Sequence, residues 1–454
     1  MSNNTKLTYM DLIKFFIPLA VMPMMISMTH TIITASLARM PLAEISLAIF
    51  TVVKSITNIA NAPTIMSRQV IVSLVDSKKN YNKVKKFIWS IAFFLFLVIM
   101  LFAITPLGNF LLEDLIGIKN PKEVELAKSA LMITSFLPLV VLFRNIYQGM
   151  ATALKKTKIV VPGVLLRLLI ISIFLWWTVK TEFISGVMAG SIAWTAGIAI
   201  EGSFIFAFIL YLYHSPQKAA NQMPDHSQGD LSYIKIFKFF APLALMMFVT
   251  KALQPIIQSG IARGQSPTMS LAAYGVAWTL VFLFSGSLRM LNQLSMVYTN
   301  KVHDKNWSKV KIFSVMYGAI ISIFMLIVAL TPVGQFILIK IIAVSQEVAN
   351  LAQRTILAFS IYPIIRAFRE SYWGVLMKQR TTKVIASAKT ANLIFLSAIV
   401  FLSLGVFSVS TSVSAAVVGA IAFTIGELVE SIIIWRSTIN NDDLIIKKTE
   451  FLSE

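Results

Sequence analysis

The chain has 454 residues, of which 57% are hydrophobic and only 13% charged, with a mean hydropathy of +0.78. A soluble domain carries about 25% charged residues, so a water-soluble protein of this size is excluded. The net charge of +20 would suggest nucleic acid in a soluble protein, but basic residues crowd the cytoplasmic loops of membrane proteins, and nucleic acid is set aside as a partner. With no cysteine, disulfide and thiol chemistry are excluded as well.

A bilayer core of about 30 Å is crossed by roughly 20 apolar helical residues. The apolar runs predict spans near 11–38, 42–75, 87–105, 127–152, 159–180 and 184–213, then 235–262, 268–299, 312–331, 349–377, 383–407 and 412–436. They are too continuous for the alternating strands of a barrel, so the expected class is an all-α integral membrane protein of twelve transmembrane helices. The first run holds Pro18 and Pro23 with no small-residue cleavage site behind it, and it reads as a span and not a removed leader. The second and eighth runs are long enough to need tilt or an extension beyond the membrane. A polar linker at 214–230 separates an N-terminal lobe, 1–213, from a C-terminal lobe, 231–436, and a tail follows at 437–454.

Basic residues orient the spans. Lys78, Lys79, Lys83, Lys85 and Lys86 follow the second span, and Lys155, Lys156 and Lys158 the fourth. Lys301, Lys305, Lys309 and Lys311 follow the eighth, and Lys378, Arg380 and Lys383 the tenth. The connector after the third span, with Glu113, Asp114, Lys119, Lys122 and Glu123, is slightly acidic. The even-numbered connectors and both termini are therefore expected in the cytoplasm. Lys, Ile and Asn usage suggests a bacterial source and hence the plasma membrane.

The chain also repeats itself. Lys14-Phe15-Phe16-Ile17-Pro18-Leu19-Ala20 returns as Lys238-Phe239-Phe240-Ala241-Pro242-Leu243-Ala244, and Thr105-Pro106-Leu107-Gly108 as Thr331-Pro332-Val333-Gly334. Pro138, Arg144, Tyr147 and Gly149 fall on Pro363, Arg369, Tyr372 and Gly374. Each copy has an even number of spans, so both copies have one orientation, the arrangement of parallel-repeat transporters. The paired prolines within spans would free backbone carbonyls and permit bends.

These features resemble the MOP superfamily, which includes the MATE extruders and lipid-linked sugar flippases. Twelve spans in two lobes, a basic connector after the second span, and Gly149, Ala153, Lys155 and Lys158 closing the fourth carry the resemblance. Within it, Phe239 through Leu245, Gln254-Pro255-Ile256-Ile257, and Arg369, Trp373-Gly374 and Lys378-Gln379-Arg380-Thr381 resemble the progressive ankylosis group of small-anion exporters. The resemblance implies two lobes about a central cavity, working by alternating access. MATE-type antiporters commonly carry a coupling carboxylate in the first span. This chain has Asp11 at the entry, with Lys14, His30 and Arg39 thereafter, which weakens a cation-drug reading.

Ionisable groups inside spans usually face a cavity or a partner. The bases there are Lys54, Arg68, Arg144, Arg167, Lys251, Arg289, Arg366 and Arg369, and the acids Glu201, Glu370, Glu427 and Glu430. An excess of cations favours an anionic substrate, and guanidinium groups fit carboxylates and phosphates. Arg144, Arg369, Arg289, Arg68 and Arg366, with Tyr147 and Tyr372 one turn beyond the repeat-related arginines, are the candidate substrate residues. Glu201, Glu427 and Glu370 are candidates for a coupling ion. Other readings stand beside these. Arg366 and Glu370, four apart, could simply pair, Glu201 and Glu427 could pair with arginines, and Lys54 could snorkel.

His30, His214, His226 and His303 are scattered, and no metal spacing, phosphate loop or nucleophile–base set occurs. No cofactor, metal or catalysis is expected. The expected partners are a small anionic substrate and the lipid bilayer, with the chain monomeric. The expected function is export of an organic or phosphate-bearing anion. The alternatives are a flippase for a lipid-linked sugar precursor and a MATE-type multidrug or cation antiporter.

Overall fold

The computed structural model describes residues 7–75, 77–154, 156–223, 231–299, 302, 304–378, 382–403 and 414–451. Lys155, Asp230, Lys301, Gln379, Arg380, Thr381, His226 and His303 lie outside them. All regular structure in the described residues is helical, and twelve helices are long and apolar enough to cross a membrane. The all-α class follows from the backbone. In hydrocarbon each amide and carbonyl must be satisfied within its own helix.

The twelve are α1 (Tyr9–Leu37), α2 (Ala43–Ala60), α3 (Lys78–Ile104), α4 (Pro121–Ala153), α5 (Val160–Thr181) and α6 (Gly186–Tyr213). The second set is α7 (Tyr233–Ala262), α8 (Pro267–Tyr298), α9 (Trp307–Leu330), α10 (Gln346–Met377), α11 (Thr382–Phe401) and α12 (Ala415–Phe451). The run expected as one span at 42–75 is broken, because α2 is followed by short helices Ala62–Ile65 and Ser67–Leu74. Its counterpart α8 is interrupted by a 3-10 turn at Gly286–Met290. The residues expected as a tail after 436 continue α12 to Phe451, and the polar linker holds a short helix, Pro216–Ala220, capped by Ser215.

Matched prolines mark matched interruptions. α4 breaks between Thr134 and Leu137, and α10 between Phe359 and Tyr362. Pro138 and Pro363 then fall in the first turn of the following segment, where a missing N–H costs nothing. At Pro18 and Pro242 the helices run on without a break. Each repeat also has a π-helical turn ahead of its fourth span, Phe110–Ile116 and Phe336–Ile342.

The chain forms two compact units. One contains residues 29–275 with 342–344; the other contains 1–28, 276–341 and 345–454. In the first unit α7 is held by a hydrogen bond from Ser55 to Gln258, by Phe87 against Phe240 at 5.7 Å, and by Ser259 donating to the Leu115 carbonyl at 2.6 Å. Arg263, at the end of α7, donates to the carbonyls of Asp114 at 2.5 Å and Ile116 at 3.3 Å. Its repeat partner Arg39 donates to the Ile342 carbonyl at 3.1 Å. In the second unit the first half of α1 packs Phe16 against Tyr317 at 4.8 Å, and Ser27 donates to the Phe282 carbonyl at 3.3 Å. Each unit is therefore completed by a piece of the other repeat's opening span.

Glycine permits one close approach in each unit. A Cβ on Gly149 would lie 3.1 Å from the Arg68 carbonyl oxygen and against Ile71, and one on Gly374 would overlap the Asn292 carbonyl oxygen. These contacts bring the fourth span of each repeat onto the end of the second, and so place Arg144 and Arg369.

Candidate functional site

Among the described residues, each unit buries a network of charge. In the first, Glu201 of α6 accepts from Arg167 of α5 at 2.6 Å and from Gln148 of α4 at 2.6 Å. Arg144 lies 3.8 Å from the same carboxylate and donates to Asn145 at 3.0 Å. Asn145 in turn donates to the Thr64 carbonyl at 3.0 Å. Two guanidinium groups thus share one carboxylate. Arg68 donates to the Thr152 hydroxyl at 3.1 Å.

In the second unit Glu427 of α12 accepts from Arg369 at 2.6 Å, Asn392 at 3.1 Å and Lys389 at 3.3 Å. Glu430, one turn on, accepts from Asn392 at 2.7 Å and Lys389 at 2.8 Å. Glu370 accepts from Arg369 at 3.0 Å and Asn292 at 3.1 Å, and lies 3.4 Å from Arg366. Arg366 also donates to the Tyr362 hydroxyl. Three cations balance three carboxylates here. Arg289 stands apart, donating to its own Gly286 carbonyl at 3.4 Å and lying over the Phe282 ring at 5.3 Å. No carboxylate lies within ion-pair distance of it among the described residues.

The repeat is written into these contacts. Arg144 and Glu201 correspond to Arg369 and Glu427, and Arg167 occupies the place of Asn392. The structure brings Arg144 together with Glu201, and Arg366 and Arg369 with Glu370 and Glu427. The spacing of Arg366 and Glu370 gave a direct expectation of their pair. Tyr147 and Tyr372 stand elsewhere. Tyr147 is buried among Ile146, Phe143 and Phe206, and Tyr372 packs on Trp307 at 4.8 Å and Phe368.

Sequence reading missed Lys389, Asn392, Asn292 and Gln148. A signal was present for the first two. Lys389 and Asn392 are three apart in an otherwise apolar span, hence on one helical face, and Asn392 is the counterpart of Arg167.

Comparison with known proteins agrees with this architecture. Residues 232–450 match the family model for the progressive ankylosis protein. The inward-facing structure of a multidrug resistance MATE family transporter of the MOP superfamily superposes with a TM-score of 0.73 at 13% identity, covering 94% of this chain and 98% of that one. The chain has the fold of this MATE-type structure, and its second half is similar to the progressive ankylosis protein. The lipid II flippase MurJ matches with a TM-score of 0.63 at 14% identity, over 92% of this chain and 87% of its own. A MOP superfamily transporter from Pyrococcus furiosus, described as having a binding pocket of reversed polarity that suggests a different function, matches at 0.56 and 11% identity, over 94% and 95%. The progressive ankylosis match spans α7 through α12, including the network around Glu427.

Proposed function

We propose that this protein is a secondary transporter that exports an organic or phosphate-bearing anion by alternating access between its two repeats. One observation carries the reading. Arg144 and Arg167 share the single carboxylate of Glu201, so the first unit holds uncompensated positive charge inside its helices. Burying an uncompensated charge is costly, and an anion entering beside Arg144 lowers that cost. Arg289 supports the reading from the second unit, as a half-buried guanidinium bonded to a carbonyl and not to an acid. Arg68 adds a further half-buried cation near Thr152.

Arg366 and Arg369 are tied to carboxylates, and their role in this proposal is to hold α10, α11 and α12 together while the substrate is bound elsewhere. Glu201, Glu370 and Glu427 are candidates to exchange a guanidinium for a proton or sodium ion during the cycle. The cytoplasmic placement of both termini and a plasma-membrane location belong to the same proposal.

The test is counterflow in proteoliposomes with separate panels of small anions, cationic dyes and a lipid-linked sugar phosphate. Anion exchange that falls in Arg144→Gln and Arg289→Gln supports the reading. Movement of cationic dyes with no anion exchange overturns it in favour of a drug antiporter, and movement of the lipid-linked substrate alone overturns it in favour of a flippase.

A further inference from the structure

The end of α3, the π-helical turn after it and the start of α4 enclose a cleft of about 320 Å³ in the first unit. It lies at the end of α3 opposite the lysines that open that helix, hence where the chain leaves the apolar layer. Buried Ala103 and Val124 line it, and exposed Met132, three turns into α4, carries the lining back toward that layer. Around them stand Asn109, Glu113, Glu125 and Lys128. The half-buried Lys128 ammonium donates to the Asn109 side chain at 2.9 Å and to the Thr105 carbonyl at 3.2 Å. A lysine has three N–H donors, so one is left for a ligand. Glu113 and Glu125 have no hydrogen-bond or ion-pair partner among the described residues.

The second repeat separates what is structural here from what is not. Gln353 stands in the place of Lys128 and donates to the Thr331 carbonyl at 3.3 Å, the counterpart of the bond to Thr105. Gly108 and Gly334 face these two side chains in the same way. An amide therefore suffices to satisfy the end of the third span of a repeat, and the charge of Lys128 is not needed for that task. Asn109, Glu113 and Glu125 have the counterparts Gln335, Ile339 and Asn350, and Gln335 donates to Asn350 at 3.4 Å. Ser129, also in the cleft, has the basic counterpart Arg354, so the second repeat places no carboxylate at these positions.

The cleft of the first unit is thus arranged for a ligand that carries both signs of charge. An anion alone would face two carboxylates, and a cation alone would face Lys128. The neighbouring surface is apolar, with Ile104, Leu107, Phe110 and Phe136 all exposed, and lipid headgroups dock in charged pockets at this level of a membrane protein. We infer that the cleft is a site for a phospholipid of the ethanolamine type, whose headgroup pairs a phosphate with a primary ammonium. The phosphate accepts from Lys128, the ammonium donates to Glu113 and Glu125, and the acyl chains run along the exposed apolar residues. A quaternary ammonium has no N–H to give these carboxylates, and a purely anionic headgroup is repelled by them.

The test is native mass spectrometry of the full chain in mild detergent, titrated separately with phosphatidylethanolamine, phosphatidylcholine and phosphatidylglycerol. Wild type is expected to retain phosphatidylethanolamine about tenfold more tightly than either other lipid, the scale of one charge-assisted contact. Glu113→Gln combined with Glu125→Gln should bring that preference within about twofold. Lys128→Gln, which can keep the carbonyl bond as Gln353 does, should weaken phosphatidylethanolamine by about tenfold with the unfolding temperature unchanged. Equal retention of the ethanolamine and choline lipids by wild type overturns the site, and so does an undiminished preference in the double variant. Displacement of the lipid by an equal concentration of soluble phosphoethanolamine overturns a lipid occupant. Should the double variant not yield monodisperse protein, Lys128→Gln decides the matter, and wild-type retention of phosphatidylethanolamine there overturns the site.

Discussion

The two buried networks descend from one pattern and have diverged in charge. Around Glu427 the second unit has Glu430, Glu370 and Lys389, so that each cation of the network meets an acid. Around Glu201 the first unit has one acid, with a second arginine where the other unit has Asn392. A balanced network in low dielectric behaves as a cross-link, because removing either partner strands a charge. An unbalanced one has electrostatic capacity left for a ligand. Under the export proposal, buried charge serves structure in one repeat and recognition in the other, from the same helical positions.

The largest expected effect comes from unbalancing the second unit. Glu427→Gln leaves Arg366, Arg369 and Lys389 against only Glu370 and Glu430 and should cost about 3–5 kcal/mol, read as a fall in unfolding temperature in detergent. Arg144→Gln removes the longer of two pairs to Glu201 and should leave that temperature within a few degrees while counterflow is lost. Equal destabilisation by the two changes would break the comparison.

Next in size is a pair of glycine substitutions. Gly374→Ala drives a methyl into a backbone carbonyl, whereas Gly149→Ala meets mainly the movable Ile71 side chain. Overpacking of this kind costs about 1–3 kcal/mol, and Gly374→Ala should show the greater loss of thermal stability. A smaller effect, about 0.5–1.5 kcal/mol, is expected for Arg263→Gln, whose donors reach the Asp114 and Ile116 carbonyls from an exposed position. Hydrogen exchange around residues 110–116 should rise in that variant.

The smallest effect lies at the start of α1. Asp11 accepts from the Thr8 hydroxyl at 2.6 Å and the Thr8 amide at 2.9 Å, and these bonds hold its carboxyl below the usual range. A depressed folded-state value means the stabilisation is complete above the ordinary carboxylate pKa and is lost as pH falls through the lowered one. Asp11→Asn should remove this acid-side change in the protection of the first turn of α1, measured by hydrogen exchange.

Much of the fold was legible because a span is a long local signal, apolar over some twenty residues and closed by lysines. The breaks in α2 and α8 were not, since their sequences stay apolar through the interruption. In the site, Arg366 with Glu370 could be paired by helical spacing alone. Arg369 with Glu427, 58 residues apart, required the tertiary fold, although the repeat already matched each to its partner's counterpart. Lys389 was overlooked because a single lysine barely lowers the hydropathy of α11, while its burial between two carboxylates depends wholly on α12.

The exchange of opening spans between the compact units has a consequence for synthesis. The first unit needs α7, so it cannot close when α6 leaves the ribosome, and a further stretch of chain must be made before Gln258 reaches Ser55. The first half of α1 waits longer still, until α8 and α9 supply Phe282 and Tyr317. Contacts this distant in sequence slow folding, and the first half of α1 is among the later segments to find its partners.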